Sequence, residues 1–296
     1  ETLIHNSQYA HRLMGYYEEK GVPLLYCVSG AMPSISPPSL LIVPEIIEIL
    51  IAAEQGVKNI RLNAWLQGNI AQDTAMILTF KKLADEYLER LDYRDVQTTT
   101  YCTNPTGRYP TGHEQVYALN SYFTMIGILA SVQGIGSRTI DEASHIPSKE
   151  GSAKSFRSIR VIIDMVQPQD FALLDDKTVK AEIRILEKEV RTILDKVLDM
   201  GEGDVVVGSK KAVEAGILDQ PYATTQHVKG KVMGVKDAAG AARFFDCGNL
   251  PFDKEIIDFH KENIARREEH IGKKVDYETI INDMTALSQG SLLPND

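Results

Sequence analysis

Short apolar segments alternate with longer segments of helical hydrophobic period over about the first 165 residues. Strands are predicted at residues 23–28, 59–63, 96–101 and 136–140, and helices at residues 7–20, 43–55, 71–91, 114–132 and 149–165. The strand starts recur about every 35 to 40 residues, which is typical of β/α units in a parallel sheet or barrel. The pattern therefore predicts a leading helix and four β/α units.

The pattern changes after Pro168. Apolar residues at three- and four-residue spacing over 179–197 predict one long helix that ends at Gly201. A short apolar segment at 205–207 follows, and then residues 228–235 and 241–246 around a turn predict a hairpin. Two further helices are predicted at 253–270 and 277–287. We expect two parts, residues 1–170 and 171–296, with the boundary near residues 166–176 and an α+β fold in the second part.

Four β/α units make half of an eightfold barrel, and a half barrel leaves two sheet edges with open hydrogen-bonding groups. Three arrangements satisfy these edges. The other half lies upstream in the natural chain, or another subunit supplies it, or the sheet is an open one with a different topology.

Composition narrows the class of protein. The net charge is -9 in 296 residues, which argues against a nucleic-acid scaffold because phosphate binding depends on clustered Lys and Arg. No apolar stretch is long enough to span a membrane, and no signal peptide is visible at the start. The three cysteines show no metal-binding spacing or disulfide framework, so we expect a cytoplasmic protein.

Candidate chemistry concentrates in the polar loop that follows the fourth predicted strand. Arg138, Asp141, Glu142 and His145 lie there, and the carboxyl ends of parallel strands are where α/β folds bind ligands. Glu142 can accept two hydrogen bonds from ribose hydroxyls, and Arg138 supplies planar donors. The alternative is that Arg138 only forms a surface ion pair with Asp141 or Glu142.

No metal site is predicted. The seven histidines are scattered without a His-x-x-x-His pair. Asp258 and His260 have the spacing of a cobalt-ligating Asp-x-His-x-x-Gly loop, but the glycine is absent and the segment is predicted to be an amphipathic helix.

The sequence resembles the epsilon subunit family of glutamate mutase, also called methylaspartate mutase, over nearly its whole length. The similarity is carried, in one collinear order, by RLMGYYEEKGV at 12–22, PPS at 37–39, AAEQGVKNI at 52–60, Gly68-Asn69, Gln72-Asp73, Glu150, ILDK at 193–196, Gly203-Asp204 and GNLPF at 248–252.

The resemblance implies the second half of a TIM-type (β/α)8 barrel, with its first half absent from this sequence, followed by a C-terminal extension. It implies an adenosylcobalamin-dependent rearrangement of an amino acid, of the type that converts glutamate to 3-methylaspartate. A small partner subunit is expected to ligate the cobalt, and the arginines that bind the substrate carboxylates are expected in the absent half. No catalytic residue of this chain can be named.

The resemblance also implies the residues of a cofactor pocket. Arg138 and Glu142 match the Lys and Glu that hold the deoxyadenosyl ribose, and Ile146 matches a nearby Ile. Thr106 and Thr285 stand where the family has Met and Phe in the adenosyl pocket. Ser29, just before Gly30, stands where the family has Phe beside the substrate, so we expect a wider and more polar pocket.

Two alternatives to this function stay open at this point. The first is a non-catalytic or assembly subunit that completes a barrel with a partner. The second is a barrel enzyme that has lost the cobalamin role. The replacement of large apolar residues in the pocket favours these readings, because radical chemistry needs a closed, water-poor site.

Overall fold

The computed structural model describes residues 2–28, 35–105, 107–169, 175–221 and 226–294. Within these ranges the elements are, in chain order, α1 (Thr2–Glu19), β1 (Leu25–Cys27), α2 (Ser39–Glu54), β2 (Asn59–Trp65), α3 (Ile70–Arg90), β3 (Gln97–Thr103), α4 (His113–Leu129), β4 (Gly134–Gly136), α5 (Lys149–Val166), α6 (Lys177–Met200), α7 (Val205–Ala215), β5 (Val232–Lys236), β6 (Ala242–Cys247), α8 (Lys254–Ile271) and α9 (Tyr277–Ala286), followed by a short 3-10 helix, Leu287–Gln289.

The first four strands form one parallel sheet in the order β1-β2-β3-β4. This confirms the prediction that they are neighbours in a single parallel sheet. We call this sheet, together with helices α1 to α5, the half-barrel. The arrangement is consistent with half of a TIM-type barrel, and the other half stays a prediction.

Side chains alternate between the two faces of the sheet, as the pleat of a strand requires. In β2, Ile60, Leu62 and Ala64 are buried in the main hydrophobic core with residues of α2 and α3. Arg61 and Trp65 therefore point to the opposite face, which corresponds to the lumen of a barrel. We call it the inner face.

Glycine in β4 makes room for an aromatic ring on the inner face. A Cβ added at Gly134 would lie 2.4 Å from the Tyr101 ring, and one added at Gly136 would lie 3.0 Å from the Tyr101 hydroxyl oxygen. Any larger residue at these positions would displace Tyr101. This pair of glycines thus allows β3 and β4 to pack closely.

One sequence prediction is corrected here, and one helix was not predicted. The fourth strand was expected at 136–140 but covers Gly134–Gly136. It ends early because the Asn120 side chain donates a hydrogen bond to the Arg138 carbonyl, and a turn from Thr139 to Glu142 follows. Residues 205–207 begin helix α7, because the Asp204 side chain caps its first turn by accepting from the Val207 amide.

The C-terminal part packs directly on the half-barrel. Helix α6 begins at the Asp176 cap, ends at Gly201 as predicted, and packs along α3 and α2. Strands β5 and β6 form the predicted antiparallel hairpin. Residues of both parts, including Val190 of α6 and Phe244 of β6, belong to the main hydrophobic core. The division into two domains near 166–176 stays a prediction.

A buried ion-pair cluster fastens the hairpin to the half-barrel. The Arg243 guanidinium donates to Asp237 Oδ2 at 2.7 Å and to Glu182 Oε2 of α6 at 2.9 Å, and all three residues are less than a tenth exposed. Beside it, Gln72 of α3 exchanges hydrogen bonds with the backbone of Ala242, at 2.7 and 3.0 Å. The cluster therefore ties α3, α6 and the hairpin together.

Replacing Arg243 by Met should lower the free energy of unfolding by about 3 to 5 kcal/mol, because the buried carboxylates of Glu182 and Asp237 lose the cation that pairs with both. Urea unfolding followed by circular dichroism measures this change. Arg184→Met is the control, since its ion pair with Glu255 is exposed and should contribute less than about 1 kcal/mol. Equal effects of the two substitutions would show that the cluster does not hold the hairpin.

Candidate functional site

The polar loop after β4 places Arg138 and Glu142 side by side at the carboxyl end of the sheet. Arg138 Nη1 forms an ion pair with Glu142 Oε1, and Arg138 Nη2 donates to the carbonyl oxygen of Pro105 at 3.1 Å. The side chains of Arg138 and Glu142 are 20% and 28% exposed, so the pair borders solvent without being free in it. The ion pair expected as one of two readings of the sequence is therefore present.

A buried network of amide and phenol groups fixes the backbone of this loop. Asn120 Nδ2 on α4 donates to the Arg138 carbonyl at 2.7 Å, and Asn120 Oδ1 accepts from Asn104 Nδ2 at 2.6 Å and from the Tyr109 hydroxyl at 3.0 Å. Burial raises the pKa of Tyr109 to about 12, so it stays a neutral donor. The ends of β3 and β4 are thereby held together below the Arg138 side chain.

Trp65 supports Arg138 from the neighbouring strand. It is the last residue of β2, and its ring centroid lies 5.9 Å from Arg138 Cζ, at the limit of a cation–π contact. Arg138 Nε is buried without a hydrogen-bond partner. The guanidinium is thus oriented by Glu142, Pro105 and Trp65, while one of its donors stays unused.

The loop after β2 is held by a buried carboxylate. Asp73 Oδ2 accepts from the amides of Gln67 at 3.1 Å and Gly68 at 2.7 Å, and Gly68 has a φ of +107°, a conformation that favours glycine. Burial raises the pKa of Asp73 to about 7 in spite of these hydrogen bonds and of nearby Lys236. Burial likewise lowers the pKa of Lys236 to about 8.

The C-terminal segment covers this loop. The Leu292 side chain packs where a Cβ on Gly68 or Gly240 would stand, and Lys236 Nζ donates to the Leu292 carbonyl at 2.7 Å. On the other side, the Tyr122 hydroxyl donates to the Gly68 carbonyl at 2.6 Å. The C-terminal part therefore reaches the carboxyl end of the sheet and builds part of its rim.

Of the other predicted pocket residues, the structure describes Ile146 and Thr285, and neither forms a hydrogen bond or ion pair with Arg138 or Glu142. Ile146 is 89% exposed, and Thr285 lies on α9, where its hydroxyl donates to the Asn282 carbonyl at 3.0 Å. Thr106, Ser29 and Gly30 lie outside the described residues. Of the predicted set, the structure thus brings together only Arg138 and Glu142.

Asp141, another residue of the predicted loop, has a structural role. Its carboxylate accepts from the amide of Ser148 at 2.9 Å and from the Ser148 hydroxyl at 2.7 Å, and these bonds lower the Asp141 pKa. The Asp141 carboxylate thereby stabilises Ser148, the residue that caps the start of α5.

The rejected cobalt-like motif lies in a helix, as predicted. His260 is buried in α8, and its Nε2 lies 2.9 Å from Glu189 Oε1. In the part of the chain that the structure describes, no group of three or more His, Cys, Asp or Glu side chains is placed to hold a metal ion.

Sequence reasoning missed the residues that support the pair. Asn104, Asn120 and Trp65 were not singled out, although Asn120 is a polar residue on the buried side of α4 and Trp65 is the only tryptophan. The alternation of β2 was the available signal, since it places Trp65 on the inner face with Arg61.

Comparison with known proteins assigns the family. The family model described as methylaspartate mutase E chain (MutE) matches residues 1–295. The chain belongs to this family. The resemblance inferred from the sequence is therefore confirmed.

Individual relatives agree with this assignment. The chain is 34% identical to the glutamate mutase epsilon subunit of Treponema denticola over 287 residues, which covers 97% of this chain and 59% of that protein. It is 35% identical to the epsilon subunit of Desulfitobacterium hafniense, covering 99% of this chain and 60% of that protein, and 31% identical to that of Escherichia coli O157:H7, covering 99% and 61%. The chain thus spans about three fifths of the length of these relatives.

None of the helices in the described ranges is long and apolar enough to span a bilayer.

The buried Asp73 predicts a specific pH dependence of stability. Its pKa is near 4 in the unfolded chain and about 7 in the folded one, so between these values the folded state binds the extra proton. Stability should therefore fall as pH rises from about 4 to about 7. Asp73→Asn, which keeps an acceptor for the two amides, should flatten this fall by up to about 1.4 kcal/mol per pH unit.

Urea unfolding at several pH values between 4.5 and 7.5 measures the effect. Asp164→Asn is the matched control, since Asp164 is exposed on α5 and paired with Arg160. If Asp73→Asn keeps the wild-type slope over this range, Asp73 is ionised in the folded protein.

Proposed function

We propose that this chain is the barrel component of an adenosylcobalamin-dependent carbon-skeleton mutase that rearranges an amino acid, of the glutamate to 3-methylaspartate type. The observation that carries the proposal is the Arg138–Glu142 pair at the carboxyl end of β4, at the two positions that match the ribose-binding residues of the family. Family membership and the position of the pair within the sheet support the same reading.

The residues present fit the nucleoside end of the cofactor. Glu142 is partly exposed, Arg138 engages one of its oxygens, and a carboxylate is the natural acceptor for two vicinal ribose hydroxyls. Arg138 Nε is a buried donor that the protein leaves unused. Arg138 stands where the family has Lys, so the positive charge beside Glu142 is kept while its geometry differs.

In this proposal the protein binds and orients the cofactor and the substrate and excludes water from them. Adenosylcobalamin, when bound, supplies the radical chemistry of the rearrangement. Glu142 accepts hydrogen bonds from the ribose, Arg138 fixes Glu142 in place, and Trp65 supports Arg138. Ile146, Thr106 and Thr285 are proposed to line the adenosyl pocket, and Ser29 and Gly30 the substrate side. Closing a site around the exposed Ile146 requires a second protein surface, which is consistent with a small cobalamin-binding subunit that ligates the cobalt.

We further propose that another segment or chain completes the barrel. Apolar side chains are exposed on the helices at both edges of the sheet, with Tyr9 and Leu13 on α1 and Phe156 and Met165 on α5. A groove of 780 Å³ also opens beside edge strand β4, bordered by Gly134, Phe156 and Ile159 among others. The part of the relatives that this chain does not match is long enough for several β/α units.

The cytoplasm is the proposed location, since Cys27, Cys102 and Cys247 are all free thiols.

Glu142→Gln tests the cofactor site. The substitution replaces a charged acceptor by a neutral amide of the same shape, so adenosylcobalamin should bind the assembled protein about 1 to 3 kcal/mol more weakly. Equilibrium dialysis of the assembled protein measures this affinity, and Glu214→Gln on the exposed side of α7 is the control.

An unchanged affinity in Glu142→Gln would remove Glu142 from the site. A wild-type assembly that binds no adenosylcobalamin would instead favour the assembly-subunit or non-cobalamin function.

A further inference from the structure

The inner face of the half-barrel carries a second cation, Arg61, which no comparison with known proteins assigns. Its guanidinium lies over the ring of Tyr101, with Cζ 4.2 Å from the ring centroid. Arg61 Nε and Nη2 both donate to Cys27 Sγ, at 3.2 and 3.1 Å. The Nε–Nη2 edge of the guanidinium is thereby fixed.

Within the described part of the chain, the remaining nitrogen, Nη1, has no hydrogen-bond partner, and Arg61 forms no ion pair with a carboxylate. The Arg61 side chain is only partly buried. A cation on the inner face of a barrel is costly unless an anion neutralises it. Because Tyr101 and Cys27 already hold the side chain in place, its unused edge is preorganised for a planar, bidentate acceptor such as a carboxylate.

The direction of the side chain places this acceptor in the lumen. Arg61 stands opposite Thr99 of β3, yet its guanidinium lies over Tyr101, two residues nearer the carboxyl end of the sheet. The interior of a TIM barrel is typically filled by branched aliphatic side chains. Here the neighbouring strand β4 contributes only Gly134 and Gly136 to the inner face, against the Tyr101 ring.

The depth of Arg61 suits a substrate that lies beneath the nucleoside. Trp65, beside Arg138, is four residues further along the same strand, which corresponds to about 13 Å at the rise of a β-strand. A ligand that contacts Arg61 thus lies deeper in the barrel than one that contacts Glu142.

We propose that Arg61 binds a carboxylate of the amino-acid substrate inside the barrel, held in position by Tyr101 and Cys27. This inference rests on the proposed function, and it adds a substrate contact from this chain to the arginines expected from the other half.

Arg61→Met and Arg61→Lys test the proposal in the full chain assembled with its cobalamin-carrying partner. With L-glutamate as the probe, isothermal titration calorimetry should show binding at least about tenfold weaker for Arg61→Met, because a charge-assisted bidentate contact is lost. Arg61→Lys keeps the charge but not the planar fork, and should also bind more weakly. Arg94→Met, at the amino end of the sheet and exposed, should bind as the wild type does.

A second titration with 5′-deoxyadenosine separates this inference from the proposed function. Both Arg61 variants should bind it as the wild type does, whereas Glu142→Gln should not. Wild-type affinity for L-glutamate in either Arg61 variant, with or without a lowered melting temperature, overturns the proposal and assigns Arg61 a structural role in holding Tyr101 and Cys27 together. If the wild-type assembly binds neither L-glutamate nor 5′-deoxyadenosine, the proposed function fails, and this inference fails with it.

Discussion

The packing of the C-terminal part on the half-barrel depends on the buried guanidinium of Arg243. It joins Asp237 of the hairpin turn to Glu182 of α6, at the point where Gln72 of α3 pairs with the hairpin backbone. A buried cation between two carboxylates is stable only with this geometry, because each group alone would be an uncompensated charge in the core. The C-terminal part is thus locked onto the carboxyl end of the sheet, where Lys236 and Leu292 form the rim around Gly68.

Different interactions hold the side chains on the inner and outer faces of the sheet. On the outer face, Ile60, Leu62 and Ala64 bury apolar surface against α2 and α3, which stabilises the sheet. On the inner face, polar and aromatic groups hold one another: Arg61 lies on Tyr101, and Trp65 lies beside Arg138. Such a surface buries less apolar area than the outer face, and we propose that its residue types serve ligand binding.

Much of the fold was accessible from the sequence because its signals are local. The period of the strands predicted the four neighbours, Gly201 marked the end of α6, and two apolar runs around a tight turn predicted the hairpin. The bounds of β4 could not be predicted, since the strand ends where a side chain from α4, Asn120, donates a hydrogen bond to the carbonyl of Arg138. Helix α7 was not predicted, because its first three residues are valines, which are typical of strands, and the Asp204 cap was the signal for a helix.

The candidate site was predicted in part for the same reason. Arg138 and Glu142 are four residues apart and follow a strand, so their proximity is a local property. The contacts of Trp65 and Arg61 join different strands, and only the register of the sheet brings them to these partners. Family resemblance pointed to Ile146 and Thr285, but neither forms a hydrogen bond or ion pair with Arg138 or Glu142 in the described residues.

The most direct test of the central claim is a structure of the assembled protein with adenosylcobalamin bound. The account predicts the ribose hydroxyls within hydrogen-bonding distance of the Glu142 carboxylate, with further strands paired to the free edges of β1 and β4. A nucleoside bound elsewhere, with Glu142 contacting only Arg138 and both strand edges facing solvent, would contradict it.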